Sequence, residues 1–128
     1  MSEKKLYQDF KKQWRYYIKR LELKNEVGIS DCHLTNENEI DIFLELKYME
    51  KKFKEATLPI KKTQFIWHAE YSGRNAYMLF QVGNEYFLFK KSSVAYLKGK
   101  VNWNDFVDFS IIKTKEIKNI IKFLEDCF

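Results

Sequence analysis

The stretch Ile40–Tyr48, IDIFLELKY, does most to limit what this chain can fold into. Ile40, Ile42, Leu44 and Leu46 alternate with other residues, which is the period of a strand buried on one face. Glu45 and Lys47 then share the opposite face. A charged pair in the most hydrophobic strand of a chain is costly unless something uses it. The polar cluster TNENE just before the strand predicts a turn, and ISDCHL before that predicts its partner strand. With the turn centred near residue 38, antiparallel partners have numbers adding to about 76. Asp31 therefore falls opposite Glu45, within one register, and two carboxylates and an ammonium converge on a small patch.

Around this hairpin the chain reads as an alternation of helices and strands. Leu6, Phe10, Trp14, Tyr17 and Ile18 recur at helical spacing and predict an amphipathic helix from residue 4 to about 18. KRLELK alternates as a short strand, and NEVG breaks it as a turn. MEKKFKEAT is a charged connection. Thr57, with Pro59 just after it, predicts a helix to about Tyr71 that SGRN ends. AYMLFQV and EYFLFK predict a hairpin about the pair Gly83-Asn84. Asn102 is placed to cap a brief helix, and Thr114 to open a last one with the stripe Ile117, Ile120, Ile121, Leu124 and Phe128. The expected class is α+β in an α/β/α arrangement, a central mixed sheet flanked by helices.

The chemistry of the patch follows from its charges. Two carboxylates a few ångströms apart repel unless one is protonated or a cation lies between them. A few oxygen ligands with open positions suit Mg²⁺ (or Mn²⁺), which keeps several waters and favours phosphate oxygens. Such an ion polarises a phosphoryl group and lowers the pKa of water, and Lys47 beside it can orient or deprotonate that water or neutralise developing charge. That combination suits phosphodiester hydrolysis. An E-x-K on the wet face of a strand is by itself ordinary solvated surface. Asp31 at the matching hairpin offset, Gly28 just before it and a basic chain set this one apart.

GISD followed, fourteen residues after its Asp, by ELK resembles the PD-(D/E)XK nuclease superfamily, with the small VRR-Nuc type phage nucleases and the Holliday-junction resolvases closest in layout. The similarity spans about residues 20 to 89. It implies a restriction-endonuclease-like core, with Asp31, Glu45 and the Leu46 carbonyl as metal ligands and Lys47 as the catalytic lysine. Gln64, on the helix after the E-x-K strand, would sit beside the site. Helical spacing agrees, since Ile60, Gln64, Trp67, His68 and Tyr71 share one face. The family also carries an earlier acidic residue, which Glu22 supplies, with Glu3 as the alternative. Ser30 stands where the family often has Pro. The Val-Arg-Arg signature is absent from AYMLFQVGNEYFLF, which leaves the subfamily and its substrate open.

Charge supports a polyanionic partner. The net charge is +5, and residues 1–24 hold Lys4, Lys5, Lys11, Lys12, Arg15, Lys19, Arg20 and Lys24 against three acids. A solvated surface has the same composition, so charge alone does not decide. Arg15, Arg20, Lys61, Lys62 and Arg74 are the candidate DNA phosphate contacts. The 128 residues suit one domain, 1–128, with 45% hydrophobic residues to fill its core. Cys32 and Cys127 form no CxxC, and with His33 and His68 they match no zinc spacing. With no signal-peptide run, a reduced cytoplasmic setting is expected, that of the host if the chain is phage-encoded. No Gly-rich phosphate loop is present.

The expected activity is that of a Mg²⁺-dependent endonuclease on branched DNA, and the resemblance to resolvases implies a homodimer. A restriction-like or end-processing nuclease, a non-catalytic DNA-binding protein and a protein-interaction factor remain as alternatives.

Overall fold

Burial on alternate faces of one sheet organises the protein, seen here in a computed structural model that describes residues 2–21, 31–71, 73 and 75–127. Six strands lie in the order β1 (Ile18–Arg20), β2 (Cys32–Thr35), β3 (Asp41–Met49), β5 (Ala76–Val82), β6 (Glu85–Lys90) and β8 (Ile112–Thr114). The β3–β5 pair is parallel and every other pair antiparallel, so the sheet is mixed and the class is α+β. A separate two-stranded ribbon joins β4 (Glu55–Thr57) to β7 (Lys100–Asn102). Among the described residues the helices are α1 (Glu3–Gln13), α2 (Lys62–Ile66), α3 (Lys91–Val94), α4 (Trp103–Phe109) and α5 (Ile117–Glu125). None is long and apolar enough to cross a membrane.

The hairpin arithmetic holds in the sheet. Cys32 pairs with Leu44 and His33 with Phe43, the predicted register, because any one-residue slip would turn Ile42, Leu44 and Leu46 away from their core. Those three leucine-type side chains meet Leu6 and Phe10 of α1 and Ile120 and Leu124 of α5 on one face of the sheet. Met78, Phe80, Phe87 and Phe89 fill the other face around Phe106 of α4, whose ring lies 5.3, 5.1 and 5.0 Å from those of Phe80, Phe87 and Phe89. Each fully buried side chain of this size contributes roughly 1.5–3 kcal/mol.

Three predicted helix boundaries move, each because a long-range pairing outcompetes local pattern, and the strand read in KRLELK is observed over Ile18–Arg20. The first helix ends at Gln13 and not near residue 18, since Trp14 turns extended and its indole donates to the Tyr17 carbonyl at 2.8 Å. Tyr17 then accepts from the Thr35 amide at 3.0 Å, which starts β1 beside β2. Thr57 is the last residue of β4, not a helix cap, and the helix begins at Lys62 and passes into a π-helical turn over Trp67–Tyr71. Thr114 ends β8, and its hydroxyl accepts from Glu116 N at 3.1 Å and Asn119 Nδ2 at 2.9 Å, bracing a helix that starts three residues later. Asn102 does cap α4, accepting from Asp105 N at 2.8 Å. The strands β4, β7 and β8 and the helix α3 are too short to carry a readable period.

Candidate functional site

β2 stops at Cys32 while β3 runs on to Met49, so the edge of β3 beyond Leu44 has no backbone partner from β2. Asp31 fills that position. Its Oδ2 accepts from the Leu46 amide at 2.9 Å, a side-chain continuation of the ladder. A residue's N–H and C=O leave a strand on the same edge, so the Leu46 carbonyl also faces the Asp31 side.

Glu45 and Lys47 point to the opposite face from Leu44 and Leu46, as alternation demands, and both are buried, at 1% and 7% exposure. Burial is the largest force on the Glu45 carboxyl and pushes it well above the ordinary carboxylate range. A hydrogen bond shared with Asp31 and the Asp31 charge push the same way, Lys47 opposes, and Glu3 adds to the rise. Two carboxyls this close repel when both are charged, so a shared proton or a cation would relieve the pair.

Gln64 ties the pair to its lysine. It lies in the first turn of α2, where its Oε1 accepts from the Lys61 amide at 2.8 Å and caps the helix start. The same oxygen accepts from Lys47 Nζ at 3.0 Å, and Nε2 donates to Glu45 Oε1 at 3.1 Å. The amide is thus held by its own helix and holds two charged groups of β3 in turn.

Glu3, at the start of α1, enters the same electrostatic neighbourhood. Although much of its surface stays in solvent, partial desolvation pushes its carboxyl up. Lys47 pulls it down, Asp31 pushes it up and Arg20 pulls it down. Of the two acids named from sequence, Glu3 is the one placed near Asp31 and Lys47, and Glu22 lies outside the described residues. The nearness of an N-terminal helix to the end of β2 left no signal in the sequence beyond the carboxylate itself.

Arg20 reaches this neighbourhood with its guanidinium 5.3 Å from the Tyr7 ring centroid. Lys61 and Lys62 are exposed at the start of α2. Arg15 is held by Glu125 at 2.9 Å and belongs to the α5 side of the molecule, so the structure does not bring it to the acids. Arg74 lies outside the described residues. Cys32 is fully buried and burial pushes its thiol up, as for a small core residue. His33 shares the face of Asp31 and bonds Asp41 Oδ1 at 2.8 Å.

Among the described residues, no three His, Cys, Asp or Glu side chains gather as a ready-made metal cage. The donor set that is present consists of two adjoining carboxyls and a main-chain carbonyl. It fits a hard ion that keeps most of its waters, and fits zinc poorly. No protein-family model, no curated protein and no solved structure matches the chain.

Proposed function

We propose that this protein is a metal-dependent DNA endonuclease of the PD-(D/E)XK type, built on a restriction-endonuclease-like core and acting on branched or structured DNA. The observation that carries the reading is the Gln64 amide joining Glu45 to Lys47 on the strand edge where Asp31 meets Leu46. A buried acid, a buried amine and an amide locked between them are costly to fold and serve no evident packing purpose.

In this reading Asp31, Glu45 and the Leu46 carbonyl hold Mg²⁺ or Mn²⁺. When bound, the ion supplies charge neutralisation for the phosphoryl group and acidifies a water. Glu45 would hold the ion as a carboxylate, and Asp31 keeps its carboxylate aimed by the Leu46 amide. Lys47 stands where it can orient the attacking water or meet charge on the phosphate, and Gln64 fixes its rotamer. The additional acid is Glu22 or Glu3. Lys61, Lys62 and Arg20 hold the phosphate backbone near the acids, which positions DNA without reading its sequence. A homodimer would cut two strands symmetrically.

The test is a cleavage panel with Mg²⁺ and with Mn²⁺ on a four-way junction, a flap, a splayed arm, linear duplex and plasmid. Cleavage of a branched substrate that Asp31→Asn abolishes is the expected result. Wild-type protein that nicks none of the five overturns the reading in favour of a DNA-binding protein without catalysis.

A further inference from the structure

A row of aromatic rings crosses β1, β2 and β3 one step along the strands from the acid pair. Tyr17, His33 and Phe43 lie on the face that carries Asp31, Glu45 and Lys47, because paired and alternate positions share a face. Their rings touch in sequence. Tyr17 meets His33 edge-on at 5.6 Å, His33 stacks on Phe43 at 5.1 Å with an interplanar angle of 18°, and Phe43 meets Trp67 edge-on at 5.5 Å. Trp67 brings the row to the π-helical turn that follows Gln64 in the chain.

The row differs from the aromatic core under α4, whose phenylalanines are fully buried. Tyr17 is 51% exposed, the His33 side chain is 28% exposed, and Phe43 and Trp67 are half-buried. Single exposed aromatics are common and carry no meaning. Four in continuous contact, beside two carboxyls, form an apolar ridge that water solvates poorly; His33 and Phe43 cover each other's faces, and Tyr17 at the end of the ridge is the ring most open to solvent. Lys19, exposed and paired with His33, supplies positive charge in the same row. His33 is anchored by Asp41, so its ring is held rather than free to turn.

We propose that this ridge seats unpaired DNA bases, with Tyr17 as its open stacking ring and His33 and Phe43 as its support, placed so that a strand held on Tyr17 runs its phosphates past Asp31 and Glu45. The inference rests on the nuclease reading for what those phosphates meet, and deepens it by naming the substrate class as DNA with a single-stranded segment at the cut. The rings are 5.1–5.6 Å apart across the strands, and the acids lie one row, about 6–7 Å, further along them, within reach of the backbone of a nucleotide held on the ridge. Stacking is indifferent to sequence because every base has a flat face, whereas the lysines contribute a salt-dependent term common to all polyanions.

The experiment compares two fluorescent twelve-nucleotide strands of equal charge, oligothymidylate and its abasic counterpart, binding to the full chain in EDTA so that nothing is cut. Oligothymidylate is expected to bind about tenfold or more tightly than the abasic strand. Tyr17→Ala should reduce that preference about fivefold or more, and Tyr17→Phe, which keeps the ring, should retain it. Tyr17 is half in solvent, so these variants are expected to fold, and circular dichroism checks that they do. Equal binding of the two strands, or a preference unchanged in Tyr17→Ala, overturns the platform. So does light scattering that shows a self-associated protein dissociated by Tyr17→Ala, which would make the row a contact between copies. Base-dependent binding by a protein that cuts nothing would uphold the platform and sink the nuclease reading. Cleavage without base dependence would do the reverse.

Discussion

Gln64 donates to Glu45 across 3.1 Å while the other end of its amide receives Lys47. One neutral side chain therefore sets the distance between a buried acid and a buried amine. Gln64→Leu keeps the volume and removes both bonds. If Gln64 acts by positioning, the variant should lose about 10–100-fold in single-turnover rate and in Mn²⁺ affinity while binding DNA with little change. A variant that loses DNA affinity but keeps its metal affinity would place Gln64 in substrate contact instead.

Glu45 makes the metal-free fold pH-sensitive. Its carboxyl is raised above 4.5 in the folded protein, chiefly by burial, so the native state holds a proton that the unfolded chain releases. Stability from this group is complete below about pH 4.5 and is lost as pH rises, by up to about 1.4 kcal/mol per unit. A divalent ion replaces that proton. Calorimetry should therefore show a Tm gain from Mn²⁺ that grows between pH 6 and pH 9. Glu45→Gln should raise the Tm of the metal-free protein at pH 8 and abolish the metal-dependent gain. A Tm gain that persists in Glu45→Gln would place the ion elsewhere.

Lys47 and Glu3 separate chemistry from assembly. Lys47→Met removes the amine and preserves most of the buried stem, and should lower the cleavage rate about 100-fold or more at unchanged metal binding. Glu3→Gln removes a charge near Asp31 and Lys47 at the exposed start of α1, and should lower activity more than Glu22→Gln does. Equal losses, or a larger loss in Glu22→Gln, would return the role of the extra acid to Glu22.

The pairing of Asp31 with the E-x-K strand was legible because a hairpin with one buried face has a single tolerable register, and the turn fixes which residues meet. Gln64 was legible by its spacing from Trp67 and His68, although its helix was placed too early. The sequence around Thr57 has a plausible cap and a proline, and what overrules it is β7, whose three residues lie far along the chain and pair with Glu55–Thr57. That Glu3 comes within the electrostatic reach of Asp31 and Lys47 was not legible, because nothing in a helical pattern says which strand end its first turn will reach. The aromatic row was hidden for a related reason. Tyr17 reads as the continuation of a helix, yet pairs with Thr35, and only that pairing lines it up with His33 and Phe43.

His68 gives the opposite pH dependence from Glu45. It is 1% exposed, and burial, with smaller contributions from Lys91 and Lys47, lowers its pKa from 6.5 to about 4. The unfolded chain binds a proton between those values that the native state refuses. Stability from this residue is complete above about pH 6.5 and is lost as pH falls toward 4, by up to about 3 kcal/mol. Urea titrations of metal-free Glu45→Gln protein, in which the opposing Glu45 slope is gone, should show stability rising from pH 4 to pH 7, and adding His68→Gln should flatten that rise if the double variant folds. A rise of unchanged steepness in the double variant would assign the acid sensitivity to other groups.

Asn36 is the polar residue on which the other end of the β2–β3 hairpin depends. It is 3% exposed, and its Nδ2 donates to the carbonyls of Leu124 at 3.2 Å and Cys127 at 2.8 Å, taking up acceptors at the end of α5. Its Oδ1 accepts from the amides of Asn38 and Ile40, both at 3.0 Å, and so closes the turn whose centre sets the register. Asn36→Ala leaves these groups short of partners inside the fold, at a cost of about 2–4 kcal/mol. Because the turn sets which residue faces Glu45, the loss should reach the acid pair as well as the helix end. Asn36→Asp keeps the acceptor and removes the donor, so it should hold the turn while weakening the α5 contact. Denaturant midpoints are therefore expected to fall in the order wild type, Asn36→Asp, Asn36→Ala, with Mn²⁺ affinity reduced in Asn36→Ala and largely kept in Asn36→Asp. Equal metal affinity in both variants would show that the register survives without this turn.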